Sequence, residues 1–182
     1  MSERRIAWAI TGAGHALEES IDLILKIGNV DVFLSRAADE VLGIYKLDGR
    51  LNTPGLRIYR ESKASAPLVG RLFNGKYPVL VIAPATSNSV AKFVHGISDT
   101  LVTNLFAQAG KSHVPIIVYP TDIAPDMDSK GPHRDPLKVY PRPVDLENTA
   151  NLGKFSGVTV VKSSEDLAHA LREERYLVDA NL

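Results

Sequence analysis

The run Val79-Leu80-Val81-Ile82-Ala83 is apolar at every position, and that constrains this chain more than any other feature. A strand with no polar face has to be covered on both sides, which is the situation inside a parallel sheet flanked by helices. Ile6-Ala7-Trp8-Ala9-Ile10 and Pro115-Ile116-Ile117-Val118-Tyr119 have the same character, and Val30, Val32, Phe33 and Leu34 mark another strand. Between the strands the period changes to that of helices. Leu17, Ile21, Ile24 and Leu25 recur at helical spacing, with Glu18, Glu19, Asp22 and Lys26 on the other faces and Gly28-Asn29 as the stop. Ala37, Val41, Leu42 and Tyr45 predict a second helix, and residues 46–56 a loop. Ile58 and Tyr59 predict a short strand, Pro67 to Phe73 a short helix, and Ser89 to about Gln108 one helix bent near Gly96. The tail predicts a small helix from Asp145, a strand at Val158–Val161 and a helix opened by Ser163 or Ser164. The alternation predicts an α/β fold: a Rossmann-like (flavodoxin-like) doubly wound parallel sheet, with residues 1–182 as a single domain.

Residues 120–145 break the pattern. They hold Pro120, Pro125, Pro132, Pro136, Pro141 and Pro143, six of the chain's 11 prolines, mixed with charges. A stretch of that length without periodicity is a functional arm or lid, or a disordered excursion, with Val139-Tyr140 able to pair in a short hairpin. Composition narrows the function classes. With 21 Lys+Arg against 21 Asp+Glu, the zero net charge removes the usual electrostatic reason to bind nucleic acid or anionic membrane. The absence of cysteine excludes thiolate nucleophiles and Cys-ligated metals, and the histidines at 15, 95, 113, 133 and 169 show no ligand spacing, so no metal site is expected. No apolar run is long enough to span a bilayer, and the N-terminus leads into a strand, not a signal peptide. The expected location is the cytoplasm.

In doubly wound sheets ligands bind beyond the carboxyl ends of the strands. Three polar loops fall there: Thr11–His15, Ser35-Arg36 and Pro84–Ser89. Thr11-Gly12-Ala13-Gly14 suits close approach of backbone to a phosphate, or a tight strand–helix turn with no ligand. Ser35 can give its hydroxyl to a phosphate or sugar, or cap a helix. Pro84-Ala85-Thr86-Ser87-Asn88-Ser89 carries four consecutive hydroxyl or amide residues, more than a cap needs, and its small side chains admit a flat ligand. His15 stands in the glycine loop within reach of such a ligand, whereas His95 lies mid-helix. No G-x-S-x-G elbow is present, so a serine hydrolase has no nucleophile.

These loops together resemble the FMN-binding flavoprotein superfamily of homo-oligomeric flavin-containing decarboxylases and their relatives. The run Ala83-Pro84-Ala85-Thr86-Ser87-Asn88-Ser89-Val90-Ala91-Lys92, continuing through Gly96-Ile97-Ser98-Asp99-Thr100-Leu101, resembles that family's flavin loop and following helix. Trp8-Ala9-Ile10-Thr11-Gly12-Ala13-Gly14-His15 resembles the branch of archaeal-type flavoproteins and dihydromethanopterin reductases. The resemblance implies FMN as cofactor, with Gly12, Ala13, Gly14 and Ser35 at its phosphate and ribityl chain and His15 close by. It places Ala85, Thr86, Ser87 and Asn88 along the isoalloxazine with Ser89 near, and Asp99 and Thr100 where a helix approaches the flavin at a subunit interface. It also implies a homo-oligomer built on trimers.

The family's decarboxylases carry an active-site His and a P-x-M-N-x-x-M-W motif. Here residues 60–70 contain no His, and Pro120-Thr121-Asp122-Ile123-Ala124-Pro125-Asp126-Met127 lacks the Asn and Trp. The implied activity is therefore reduction of dihydromethanopterin, or a related dihydropterin, by hydride transfer from reduced FMN. Electrons would come from NAD(P)H or a protein donor, and Lys130, Arg134 and Lys138 of the arm would meet substrate anions. The alternatives are a cysteinyl decarboxylase, a flavin electron carrier without turnover, and a nucleotide-binding module without flavin. No side chain is singled out as catalytic.

Overall fold

Full burial of the apolar runs is what organises the molecule. A computed structural model describes residues 5–61, 69–72, 75–174 and 176. Strands β1 (Ile6–Ile10), β2 (Val30–Leu34), β4 (Leu80–Ala85) and β5 (Ile116–Pro120) are buried along their whole length. The edge strands β3 (Arg57–Arg60) and β8 (Val158–Val160) are only partly covered. They form one parallel sheet in the order β3-β2-β1-β4-β5-β8. The order reverses direction between β1 and β4, which creates a crevice at their carboxyl ends.

Alternate residues of each strand face opposite layers. Trp8, Ile10, Val32, Leu34, Val81 and Ala83 pack with α1 (Leu17–Ile27) and α6 (Ser164–Glu173). Ala7, Ala9, Phe33, Leu80 and Ile82 face the opposite layer, formed by α3 (Ser87–Val94), α4 (Leu101–Lys111) and α5 (Pro143–Leu152). Helix α2 (Arg36–Ile44) buries Ala38 and Leu42 in the first layer. Each fully buried Leu, Ile or Phe contributes about 1.5–3 kcal/mol. The indole N–H of Trp8 is satisfied by the Ala83 carbonyl at 2.8 Å.

Several local expectations change. The segment expected as one bent helix from Ser89 to Gln108 is two helices, α3 and α4, separated by residues 95–100. Gly96 in the left-handed region (φ 71°) closes the first, and Thr100 caps the second by exchanging hydrogen bonds with Thr103. The 46–56 loop contains one 3-10 turn, Asp48–Leu51, because Leu51 is drawn into the core. Of the helix expected from Pro67 to Phe73, residues 69–72 are described, where Gly70–Leu72 forms a 3-10 turn; 67, 68 and 73 lie outside the described residues. Within the Pro-rich arm, β6 (Met127–Lys130) and β7 (Pro136–Val139) form an antiparallel hairpin. Val139 pairs with Met127 as expected of a hairpin strand, while Tyr140 stands beyond the ladder and is exposed.

At the opposite end of the sheet from the crevice, β2 carries the fully buried Asp31. Its Oδ1 takes the Arg5 Nε–H at 2.5 Å and its Oδ2 the Tyr77 hydroxyl at 2.6 Å. Arg5 also donates to the Val30 and Gly55 carbonyls at 2.8 and 2.6 Å, so one guanidinium ties three chain segments. Removing one partner of a buried ion pair leaves an under-compensated charge. Arg5→Ala should therefore lower the urea unfolding free energy by about 3 kcal/mol or more; a loss under about 0.5 kcal/mol, typical of a surface site, would refute this role.

Candidate functional site

Thr11, the residue after β1, is buried and joins the two strands that flank the crevice. Its backbone N–H and its hydroxyl both donate to the Pro84 carbonyl, at 3.2 and 2.9 Å. The same hydroxyl accepts the Thr86 N–H at 2.8 Å. The Ala83-Pro84 peptide is cis. These bonds hold the start of α3 beside the glycine loop, and Thr86 then caps α3 by accepting from Ser89 N–H at 3.3 Å.

Over this floor lies a cleft of about 560 Å³, lined among others by Thr11, Gly12, Ser35, Thr86, Asn88 and Ser89. Arg36, Glu40, Glu61, Lys92 and Thr100 also line it, with Arg36 paired to Glu40 at 3.5 Å. Ser35 caps α2, accepting the Ala38 N–H at 3.1 Å, which uses an oxygen lone pair and leaves the hydroxyl proton to donate. Thr86 donates to the Ser89 hydroxyl at 3.0 Å. The Glu61 carboxylate accepts from Arg36 N–H at 2.9 Å and Leu101 N–H at 2.6 Å. Lys92 pairs with Asp99 at 2.8 Å, and its donated hydrogen bonds hold the Asp99 carboxyl below the usual carboxylate range. Hydroxyls, an amide and two cations around small residues can bind a phosphorylated polyol.

Gly12 and Gly14 serve close packing at negative φ. A Cβ on Gly12 would stand 2.5 Å from the Ala37 Cβ, and one on Gly14 would stand 1.9 Å from the Tyr45 hydroxyl. Across the loop from the cleft, the hairpin closes two smaller cavities of about 260 and 210 Å³ that share Gly14, His15, Tyr45, Ser129 and Lys130. Tyr45 donates to the Lys130 carbonyl at 3.2 Å, and His15 Nδ1 lies 3.3 Å from the Ser129 hydroxyl. The His15 ring meets Tyr119 edge-on with centroids 6.4 Å apart. Burial lowers the His15 pKa, against the smaller raising effects of Glu19 and Asp122. Burial raises the phenols of Tyr119 and Tyr45, the latter with help from Asp135. At neutral pH these cavities thus set an uncharged imidazole and two protonated phenols beside the charged Glu18, Glu19, Asp128, Lys130 and Arg134.

The expected residues divide between these places. Gly12, Ser35, Thr86, Asn88, Ser89 and Thr100 come together around the cleft. Ala13, Gly14 and His15 line the hairpin cavities. Ala85 is buried in β4 behind the cleft, Ser87 opens α3, and Asp99 is held at the rim by Lys92. Of the arm's cations, Lys130 and Arg134 line the hairpin cavities, Arg134 pairing there with Glu18 at 3.1 Å, while Lys138 pairs with Asp128 at 2.9 Å. Sequence reasoning missed Glu61 and Tyr45 as site residues. Glu61 had one signal: it is the first residue beyond a strand at the carboxyl edge of the sheet. Among the described residues no cluster of His, Asp and Glu could hold a metal ion, and no helix is long and apolar enough to cross a membrane.

Comparison with known proteins gives a consistent set of relatives. The Flavoprotein family model matches residues 1–180. An uncharacterized protein of Methanocaldococcus jannaschii is 39% identical over 175 residues, 90% of this chain and 91% of its own length. Dihydromethanopterin reductase (acceptor) of Methanosarcina mazei is 44% identical over 146 residues. That match takes in 73% of this chain but only 61% of the reductase, so the chain spans less than two thirds of that relative. Among solved structures, Burkholderia xenovorans DmrB in complex with FMN, described as a cubic protein cage for redox transfer, superposes with a TM-score of 0.83. It is 41% identical, with 95% of this chain and 96% of that one covered.

His15 gives the site a pH signature. Its pKa is lowered on folding, so below its ordinary 6.5 the unfolded chain binds the proton more readily than the folded one. Stability should fall as pH drops through 6.5, with the deficit complete once pH is below the folded value. His15→Gln should flatten this part of the pH–stability curve in urea titrations; an unchanged slope would show that His15 is not the group responsible.

Proposed function

The chain belongs to the flavoprotein family, and from that premise we propose that it is an FMN-dependent oxidoreductase reducing dihydromethanopterin or a related dihydropterin. The observation that carries this reading is the cleft at the β1/β4 switch point, where the two loops that resemble flavin-binding motifs are tied together through Thr11. The reductase relative and the FMN-bound neighbour support it from outside the chain. The cleft fits the cofactor in size, since about 560 Å³ lies within the roughly 300–1,000 Å³ of small-molecule sites. Its donor set fits as well: hydroxyls and an amide suit a ribityl chain, and cations suit a phosphate.

In this reading Gly12 and Ser35 hold the phosphate end, while Thr86 and Asn88 line the ring with Ser89 beside them; Ala13 and Gly14 shape the loop from its hairpin side, and Ala85 and Ser87 support the start of α3. When bound, FMN would supply two-electron chemistry, with electrons from NAD(P)H or a protein donor and hydride for the C=N bond of the pterin. The protein binds and orients. Thr86 and Ser89 are fixed by α3, so they present their polar groups without further ordering. The hairpin forms the second-substrate wall, where neutral His15, Tyr45, Tyr119 and Ser129 can hydrogen-bond an uncharged heterocycle. Residues 1–182 act as one flavoprotein domain with 120–145 as its arm, in the cytoplasm. Subunits associate in a trimer-based homo-oligomer, with Asp99 and Thr100 near the flavin at the interface. The exposed Ile97 and Phe155, beside the stacked Phe93 and Phe106, give that interface its apolar surface.

The test is an anaerobic visible spectrum of the FMN-reconstituted protein. The flavin absorbance should bleach with NADH or NADPH, or with a reduced protein donor, and return on adding dihydromethanopterin. Bleaching without return would identify an electron carrier, and failure to bind FMN would sink the reading. Asn88 is exposed on the cleft wall and bears on no core packing. Asn88→Ala should raise the FMN Kd by roughly tenfold, about one hydrogen bond's worth, with the unfolding midpoint of the ligand-free protein unchanged.

A further inference from the structure

The cleft carries two carboxylates of its own: Glu40 pairs with Arg36, whereas Glu61 is held by backbone. Glu61 follows β3 directly, and its backbone N–H donates to the Leu34 carbonyl at 3.0 Å, which holds it at the carboxyl edge of the sheet. From there its side chain reaches two helices at once. Oε2 accepts the N–H of Arg36 at 2.9 Å, and Oε1 that of Leu101 at 2.6 Å. These are the first residues of α2 and α4. The capping hydroxyls of Ser35 and Thr100 take the N–H groups of Ala38 and Thr103, so Glu61 takes donors that the caps leave over. Helix N-termini attract negative charge, and here a single carboxylate answers two of them. Ser35, Arg36, Glu61, Ser89, Lys92 and Thr100 line the same cleft.

We propose that Glu61 is a displaceable internal anion: in the ligand-free chain it occupies the position at the α2 and α4 N-termini that a ligand phosphate takes. This rests on reading the cleft as a flavin mononucleotide site. A phosphate presents more acceptor oxygens and more charge than a carboxylate, so it can take over both N–H groups. The two anions repel at such range, so Glu61 must swing away as the phosphate enters. Binding is then an exchange, and Glu61 sets its strength. A flavin without a phosphate leaves Glu61 seated and is indifferent to it. Glu61 therefore tunes how far the cleft distinguishes phosphorylated from unphosphorylated ligands, while keeping both helix ends satisfied when no ligand is bound.

The substitution Glu61→Gln keeps the shape and removes the charge. Relative to wild type, it should tighten FMN roughly tenfold, the scale of one charge at a helix N-terminus, and leave riboflavin within about twofold. Glu61→Asp retains the charge and should not tighten FMN. Weakening of FMN and riboflavin together in Glu61→Gln would assign Glu61 a merely structural part and overturn the proposal. Equal tightening of both ligands, or tightening by Glu61→Asp, would overturn it too. Inorganic phosphate separates this from the flavin reading: it should raise the melting temperature of ligand-free Glu61→Gln more than that of wild type. Equal shifts in the two proteins would refute the exchange even if FMN binds, and a larger shift in Glu61→Gln would uphold it even if FMN does not.

Discussion

The Thr11 hydroxyl is the interaction on which the rest of the site depends. It donates to Pro84 and accepts from Thr86, so a single side chain locks the end of β1 to the end of β4. Those strands are neighbours whose following helices leave on opposite faces of the sheet, and a gap between their loops is unavoidable. Water could fill that gap equally well. By bridging it with a buried hydroxyl, the fold sets the glycine loop and the α3 N-terminus at a constant separation, and the cleft opens above them.

Close packing then divides the space. Gly12 lets α2 approach the loop, and Gly14 lets the Tyr45 ring lie over it. The loop becomes a thin wall with the polar cleft on one side and, on the other, cavities where His15, Tyr45 and Tyr119 stand among Glu18, Glu19, Asp128, Lys130 and Arg134. Tyr45 also reaches the hairpin through Lys130, so the same ring that demands a glycine also anchors the arm.

Much of this was legible in the chain. Strands such as Val79–Ala83, apolar on both faces, announced a covered parallel sheet, and the polar loops after them marked the end of the sheet at which the cleft opens. The break between α3 and α4 was less legible. Gly96 signals a bend as readily as a stop, and only the capping exchange of Thr100 with Thr103 makes it a new helix. Ser35 illustrates the opposite case, where two readings of one hydroxyl turn out to be compatible. It caps α2 and lines the cleft at once. Glu61 and Tyr45 were hidden because each acts on residues far away in sequence, at Leu101 and Lys130.

By itself the sequence determined the layers, the strand ends and the chemistry available in each loop, since periodicity and local residue type are local properties. Tertiary structure alone decided which of those loops share a cavity. It also decided which of the arm's cations reach a cavity, since Lys130 and Arg134 line one while Lys138 turns to Asp126 and Asp128. And it decided that a carboxylate sits on two helix N-termini. Such facts depend on distances between segments tens of residues apart, which only the packing of the sheet and its helices sets.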